Sequence, residues 1–230
     1  MKNLFFCAAV LFGLVSADYH PRILKGDLEK IRRGELIPSV FPENFAPTTE
    51  LRVSYVNRQM RFGTEYFPYR NETDNIPVIK YKTERNAFYT IALVDPDAPS
   101  RADPYRAQVR HWLNVNIPGD RIDKGNSTGT PYLRPAPFAG CGRKRFVYVL
   151  AKQECYMPNL TVPQARPNFN VTEFCAQNRM KIIGGNYFEV ESEPGPTCTI
   201  PGSNPTTSTS RPITTTTVYP ITTISRRIYY

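Results

Sequence analysis

The feature that most constrains this chain is a pair of prolines placed directly after an apolar strand. Residues 89–94 (YTIALV) are mostly apolar and predict a buried strand. Pro96 and Pro99 follow at once, and because each fixes φ and removes a backbone donor, the strand must end in a stiff turn. Asp95 and Asp97 therefore lie on a rigid corner, which indicates that both carboxylates are held in fixed positions.

A histidine lies at the start of the next predicted strand. Residues 111–117 read HWLNVNI, and strict alternation would place His111 on the same face as Leu113, Val115 and Ile117. Taken alone, these residues indicate a histidine at the edge of the core, satisfied by a backbone or carboxylate partner.

The run DPDAPSR at 95–101, with HWLNVNIPG downstream, resembles the signature of the phosphatidylethanolamine-binding protein family. The segments GELIP at 34–38 and LRVSY at 51–55 are similar to the family's opening segment and first strand. The resemblance covers roughly residues 25–192. It implies a mostly β (α+β) sandwich, in which a large central sheet, rich in antiparallel pairs, is flanked by a smaller sheet and short helices.

The resemblance also implies an anion pocket. Asp95, Asp97 and His111 match positions that orient and polarise groups around a bound phosphate or carboxylate in the family. One of the two aspartates could instead cap the turn or pair with Arg101. In that structural role, Arg101 needs no ligand.

The second family motif is altered in this chain. It should read Gly-x-Gly-x-His-Arg-Tyr, and residues 140–146 read GCGRKRF, so Lys144 replaces the histidine and Phe146 the tyrosine. Ala136 stands where a nearby family glycine is expected. We expect Lys144 to point inwards, which would make the ligand pocket of Ala136, Lys144 and Phe146 smaller, more cationic and poorer in directional donors. The alternative is a solvated lysine on the outer face of the strand.

The N-terminus predicts secretion. Residues 1–17 combine Lys2, an apolar run and a small-residue cleavage site, as a secretory signal peptide does, so the mature chain should begin at Asp18 and be extracellular. The apolar run is too short to cross a bilayer, and no later segment approaches the required length of about 20 apolar residues. We therefore expect no transmembrane segment.

An oxidising compartment changes how the cysteines and asparagines are interpreted. An even number of mature cysteines favours two disulfides over buried free thiols, with three pairings possible. Asn-x-Ser/Thr sequons fit the same compartment and predict N-glycosylation. The cysteines are Cys141, Cys155, Cys175 and Cys198, and the sequons are at Asn71, Asn126, Asn159 and Asn170.

The composition changes near Ser192. Thr and Pro dominate the residues after it, and such a segment cannot build a core. The sequence therefore predicts a folded domain over 18–192 and a disordered tail over 193–230, either O-glycosylated or bare. No amphipathic helix follows Glu191, so the tail replaces a C-terminal helix that often encloses the pocket in the family.

Charge and motifs restrict the function. The formal net charge of +9 and pI near 9.4 favour anionic partners, but the basic residues are scattered and no nucleic-acid motif is present. Hydrolase, protease, phosphate-loop and dinucleotide motifs are missing, so we expect neither enzyme activity nor a cofactor. A Cys141–His111 nucleophile is conceivable, although a disulfide at Cys141 is favoured. Asp95, Asp97 and His111 lack a recognisable metal-ligand spacing, so we expect no metal.

The leading hypothesis is a secreted, non-enzymatic member of the family that binds a small anionic molecule or an anionic phospholipid head group in a modified pocket. A structural or matrix glycoprotein with a closed pocket is the first alternative. The second is a protein that acts through a protein partner or carries small molecules, such as a protease inhibitor or a chemosensory carrier.

Overall fold

The structure is a computed structural model that describes residues 21–198, except 57, 68 and 69. The predicted signal peptide and the predicted tail beyond residue 198 lie outside this range. Within it, no helix is both long enough and apolar enough to cross a membrane.

The described chain forms eight strands, two α-helices and a 3-10 turn at Ile122–Lys124. Apolar runs bounded by Pro, Gly and Asn turns account for the many short strands. The helices are α1 (Pro21–Arg33) and α2 (Val171–Gln177), and the strands are β1 (Arg52–Tyr55), β2 (Arg58–Gln59), β3 (Thr64–Tyr66), β4 (Val78–Lys80), β5 (Phe88–Asp95), β6 (Val109–Pro118), β7 (Arg143–Gln153) and β8 (Met180–Glu191).

Two sheets form the sandwich. The large sheet has the order β3-β8-β7-β5-β6, and every pair in it is antiparallel except β3 with β8. The small sheet has the order β2-β1-β4 and is antiparallel. The fold class predicted from the sequence, a mostly β sandwich with a large antiparallel-rich sheet, is confirmed.

The large sheet is buried on both faces, which explains its nearly continuous apolar strands. Phe146 and Tyr148 of β7 join the core between the two sheets, with Val53 of β1. The alternate residues Val147 and Val149 join a second core that includes residues of α1 and α2. We call these the inter-sheet core and the helix-side core.

A β-bulge at the start of β6 moves His111 to an unexpected face. Leu93 of β5 is opposite Trp112, but Val94 is opposite Arg110, so His111 is an extra residue in β6. The His111 ring contacts Phe146, a member of the inter-sheet core, whereas Leu113 belongs to the helix-side core. The prediction that His111 shares a face with Leu113 was wrong, because strict alternation fails at a bulge.

The cysteines pair differently from the prediction. Cys141 and Cys198 form a disulfide, and Cys155 is also disulfide-bonded. Cys175 was predicted to be bonded, but it is a free thiol buried in the helix-side core. Its position on α2 explains the difference, since it packs against apolar side chains as a small hydrophobic residue.

The predicted tail begins too early in the sequence. Residues 193–198 were assigned to the disordered segment, but they pack on the loop before β7. Gly140 donates its N–H to the Glu193 carbonyl at 2.8 Å, and the Cys141–Cys198 disulfide fixes the end of the segment. A cross-link and backbone hydrogen bonds can hold a segment that has no apolar periodicity.

All four sequons are accessible in the fold. Their asparagines are exposed, although Asn170 also caps α2 by accepting the Glu173 N–H at 3.0 Å. Their glycosylation stays a prediction.

Candidate functional site

Three adjacent strands bring the chemical groups of both motifs to one end of the large sheet. β5 lies between β6 and β7 and is antiparallel to both, so its last residue, Asp95, lies beside the starts of its neighbours. His111 lies near the start of β6, and Lys144 and Phe146 lie near the start of β7. We call Asp95, His111, Lys144 and Phe146 the strand-end site.

Lys144 points inwards, as expected, and its ammonium is already paired. Its Nζ lies 2.6 Å from Oδ2 of Asp95, and the two residues are 6% and 1% exposed. The other oxygen, Oδ1, accepts the Asp97 N–H at 2.8 Å. Burial raises the pKa of Asp95, while Lys144 and the Asp97 N–H oppose that rise. The positive charge that Lys144 brings to the family's histidine position is therefore balanced by Asp95 inside the protein.

Asp97 anchors the turn. Its carboxylate accepts the backbone N–H of Arg145 at 2.8 Å and two guanidinium N–H groups at 2.9 and 2.5 Å. Arg145 also donates to the Gly34 carbonyl at 2.6 Å, which ties the turn to the segment after α1. Arg101 does not pair with either aspartate, because it binds Glu35 at 2.6 Å. Arg145 therefore takes the structural role that was considered for Arg101.

His111 is held as a neutral ring. Its Nδ1 lies 3.0 Å from the Leu133 carbonyl oxygen, which can only accept, so this nitrogen donates. The ring meets Phe146 edge-on, with centroids 5.0 Å apart. Burial lowers the pKa of His111 to about 4, and the carbonyl of Leu133 only partly opposes this effect. The imidazole therefore carries no charge at neutral pH.

The other two altered positions differ in their burial. Phe146 is fully buried and stacks on Phe188 at 5.5 Å, in a place where a tyrosine hydroxyl would need a partner. Ala136 is half-buried in the loop before β7, and no hydrogen bond connects it to the strand-end site in the described residues. The structure thus brings together Asp95, His111, Lys144 and Phe146 at one end of the sheet.

A cleft of about 500 Å³ lies near the start of β7, but none of the predicted ligand residues lines it. Its walls are Phe67, Gly140, Gly142 and residues 191–195. In the described part of the chain, no group of three or more His, Cys, Asp or Glu side chains is arranged to hold a metal ion.

Sequence reasoning missed the groups that fix the site. The Leu133 carbonyl orients His111, and Phe188 supports Phe146. Neither residue carries a motif, because a backbone carbonyl has no sequence signal and an apolar residue in a strand predicts only burial. Arg145 was visible as the arginine of the second motif, and two buried polar partners for it were available in Asp95 and Asp97.

Comparisons with known proteins agree with this architecture. The family model described as phosphatidylethanolamine-binding protein matches residues 51–188. The rice protein MOTHER of FT and TFL1 homolog 2 is 33% identical over 140 residues, which cover 60% of this chain and 78% of the relative. A 26 kDa secreted antigen of Toxocara canis is 30% identical over 155 residues, covering 64% of this chain and 58% of the antigen.

A solved structure supports the same conclusion. The phosphatidylethanolamine-binding protein from Plasmodium vivax superimposes with a TM-score of 0.64 and 26% identity, covering 72% of this chain and 97% of that one. The family match spans the turn with both aspartates, the bulged strand and the altered second motif. The chain belongs to the phosphatidylethanolamine-binding protein family.

Proposed function

We propose that this chain is a secreted binding protein that takes a small anion, such as inorganic phosphate or a phosphorylated lipid head group, at Lys144 of the strand-end site. The observation that carries the proposal is the convergence of an ammonium, a carboxylate and a neutral imidazole at one end of the sheet. Secretion is supported by the apolar N-terminal run and by similarity to a secreted antigen. The protein acts by binding, without catalysis.

Anion binding requires a change at the ion pair. Asp95 and an incoming phosphate compete for the same ammonium, and two anions at that distance repel each other. Protonation of Asp95 removes the competition, and burial raises the pKa of this carboxyl, which makes its protonation easier. The ligand therefore binds together with a proton and binds more tightly as the pH falls towards the pKa of Asp95.

Lys144 attracts an anion by its charge and does not select for the anion's shape. An ammonium is a compact point charge, without the planar fork that reads the shape of a phosphate. Phe146 offers no hydroxyl to direct a head group. We therefore expect phosphate and sulfate to bind with similar affinity, and ethanolamine to add little.

The second candidate function is that of a structural glycoprotein with a closed pocket, which binds nothing at this site. The observation that favours it is burial, since no residue of the strand-end site is more than 8% exposed. The ion pair between Lys144 and Asp95 also favours a closed pocket, because it neutralises the lysine without a ligand.

Calorimetric titration separates the two candidates. Phosphate, sulfate and phosphoethanolamine are titrated at pH 5 and pH 7 into the parent protein and into a Lys144→Met/Asp95→Asn variant, which removes both charges together. The exposed Arg143, on the same strand, provides the matched control as Arg143→Ala. We expect binding in the parent and the control, strongest at pH 5, and none in the double variant.

A second variant tests selectivity. Lys144→His/Phe146→Tyr should restore a preference for phosphoethanolamine over inorganic phosphate, because it adds directional donors. Undetectable binding of all three anions in the parent would contradict anion binding and leave the closed pocket. Equal binding in the parent and the charge-free double variant would place the ligand elsewhere.

A further inference from the structure

Arg110 is a buried cation on the opposite side of the large sheet from the strand-end site. It precedes the extra residue of the bulge, and its side chain is 0% exposed, with its guanidinium 4.7 Å from the ring centroid of Phe169 in the helix-side core. Nε donates to Thr130 Oγ1 at 2.6 Å, and one Nη donates to the Pro163 carbonyl at 2.5 Å. The other, Nη1, is buried and has no partner among the described residues.

No carboxylate of residues 21–198, as far as the structure describes them, forms an ion pair with Arg110. Its charged neighbour is a second arginine, Arg166, which donates to the Arg110 and His111 carbonyls at 3.1 and 3.0 Å and to the Pro131 carbonyl at 2.8 Å. Burial and, to a smaller extent, the positive charge of Arg166 together lower the pKa of Arg110 to about 10. Within the described residues, both guanidinium groups therefore have only neutral acceptors.

An unbalanced arginine in this setting is unusual. Arginine is almost never fully buried without a partner, because a charge removed from water needs a counter-charge or a complete set of hydrogen bonds. Nη1 has neither. The missing partner must accept a hydrogen bond, and a negative charge would also balance the two arginines.

A cleft of about 300 Å³ adjoins this position. Its wall includes Phe169, whose ring lies against the Arg110 guanidinium, and Pro163, whose carbonyl accepts an N–H of Arg110. Phe174 and Pro167 add apolar surface to the same wall, and its polar members are Asn168, Asn170, Glu173 and Gln177. Two residues of the cleft wall, Phe169 and Pro163, therefore contact the Arg110 guanidinium, although Arg110 itself does not line the cleft.

We propose that Arg110, supported by Arg166, forms a second anion site, which holds one oxyanion, a carboxylate or a phosphate, reached through the cleft between the 163–170 segment and α2. The oxyanion accepts from Nη1 and supplies the negative charge that the arginine pair lacks. The apolar part of the cleft wall, which includes Phe169, Phe174 and Pro167, favours a carboxylate on a short apolar stem over free phosphate. This site does not depend on the strand-end site, which lies in the other core layer.

Thermal unfolding at constant ionic strength tests the proposal. The full chain is compared in chloride, acetate, hexanoate and phosphate, because a ligand that binds only the folded state raises Tm with its concentration. We expect hexanoate to raise Tm most, and the same rise in the Lys144→Met/Asp95→Asn variant, which excludes the strand-end site. Larger effects of phosphate than of hexanoate would identify a free inorganic ion as the occupant.

Arg110→Met should abolish the response to anions, whereas Arg134→Ala, at an exposed arginine that pairs with Asp74, should keep it. If Arg110→Met does not fold, crystals of the parent soaked in selenate provide the second measurement. An anomalous peak within hydrogen-bond distance of Nη1 supports the site. A water alone at Nη1, or a Tm that is identical in all four anions, would overturn it.

Discussion

Asp95 and Lys144 join the ends of two adjacent strands through a buried salt bridge, with Nζ and Oδ2 2.6 Å apart and side chains only 1% and 7% exposed. Removing one partner of such a pair leaves the other charged and buried, which costs far more than the pair itself contributes. The pair therefore gives a clear test of whether both groups are charged in the folded protein.

Lys144→Met should lower the free energy of unfolding by about 3–5 kcal/mol, measured by urea denaturation at pH 7. The double variant Lys144→Met/Asp95→Asn should recover most of that loss, because no unpaired charge remains. Arg101→Ala breaks an exposed pair with Glu35 and should cost less than about 1 kcal/mol. Equal losses in the single and double variants would show that the two side chains are not coupled.

His111 should make stability depend on pH. Burial lowers its folded pKa to about 4, whereas an unfolded histidine has a pKa of about 6.5. Below pH 6.5 the unfolded chain takes up a proton that the folded chain excludes, so the stability that is present above 6.5 is lost as pH falls towards 4. The loss should reach about 3 kcal/mol, with no further contribution from this group below pH 4.

The measurement is the difference between the parent and His111→Gln in denaturation curves from pH 7.5 to pH 4. Glutamine can still donate to the Leu133 carbonyl but does not titrate in this range. Parallel pH profiles for the two proteins would contradict a neutral, buried imidazole.

The Cys141–Cys198 disulfide should be a major source of stability. It connects positions 57 residues apart, and a cross-link of this span restricts the unfolded chain by about 4 kcal/mol. Cys198→Ser should cost about that amount, while Cys175→Ala should cost less, since it removes one buried sulfur. Peptide mapping without reducing agent should recover Cys141 linked to Cys198, and Cys175 should react with thiol reagents only after unfolding.

Two glycines should respond to alanine in opposite ways. A Cβ at Gly184 would lie 2.5 Å from the backbone oxygen of Thr49. This backbone cannot easily move, because the N–H groups of Thr48 and Thr49 both donate to the Ile183 carbonyl. Gly184→Ala should therefore destabilise the protein by about 1–3 kcal/mol. Gly26 lies in α1 with nothing within 4 Å of its Cβ position, so Gly26→Ala should stabilise by about 0.5–1 kcal/mol. Thermal denaturation of both variants measures whether each substitution raises or lowers Tm.

The strand ends and their acidic residues could be predicted from the sequence, because Pro96 and Pro99 force the chain to turn after an apolar run. The inward orientation of Lys144 also followed from alternation with Phe146 along β7. Both inferences depend on local geometry, which the sequence specifies within a few residues. The same rule failed at His111, because a bulge depends on how two strands pair and leaves no local signal in β6.

The partners of the polar groups could not be predicted for a related reason. Asp97 had a nearby candidate in Arg101, and the choice of Arg145 depends on the pairing of β5 with β7 and on the carbonyl of Gly34. The free thiol at Cys175 depends on the packing of α2 against the large sheet. Arg110 had no motif, and only its burial, with no acidic partner in the described part of the chain, made it notable.

The segment closed by the Cys141–Cys198 disulfide also determines how proteolytic cleavage of this protein can be detected. The exposed connection between β7 and α2 lies inside that segment, at 154–170. A protease that cuts there leaves two fragments still joined by the bond between the sulfurs. A nicked molecule would therefore migrate on a non-reducing gel as a single species close to the intact protein, and only reduction would reveal the break.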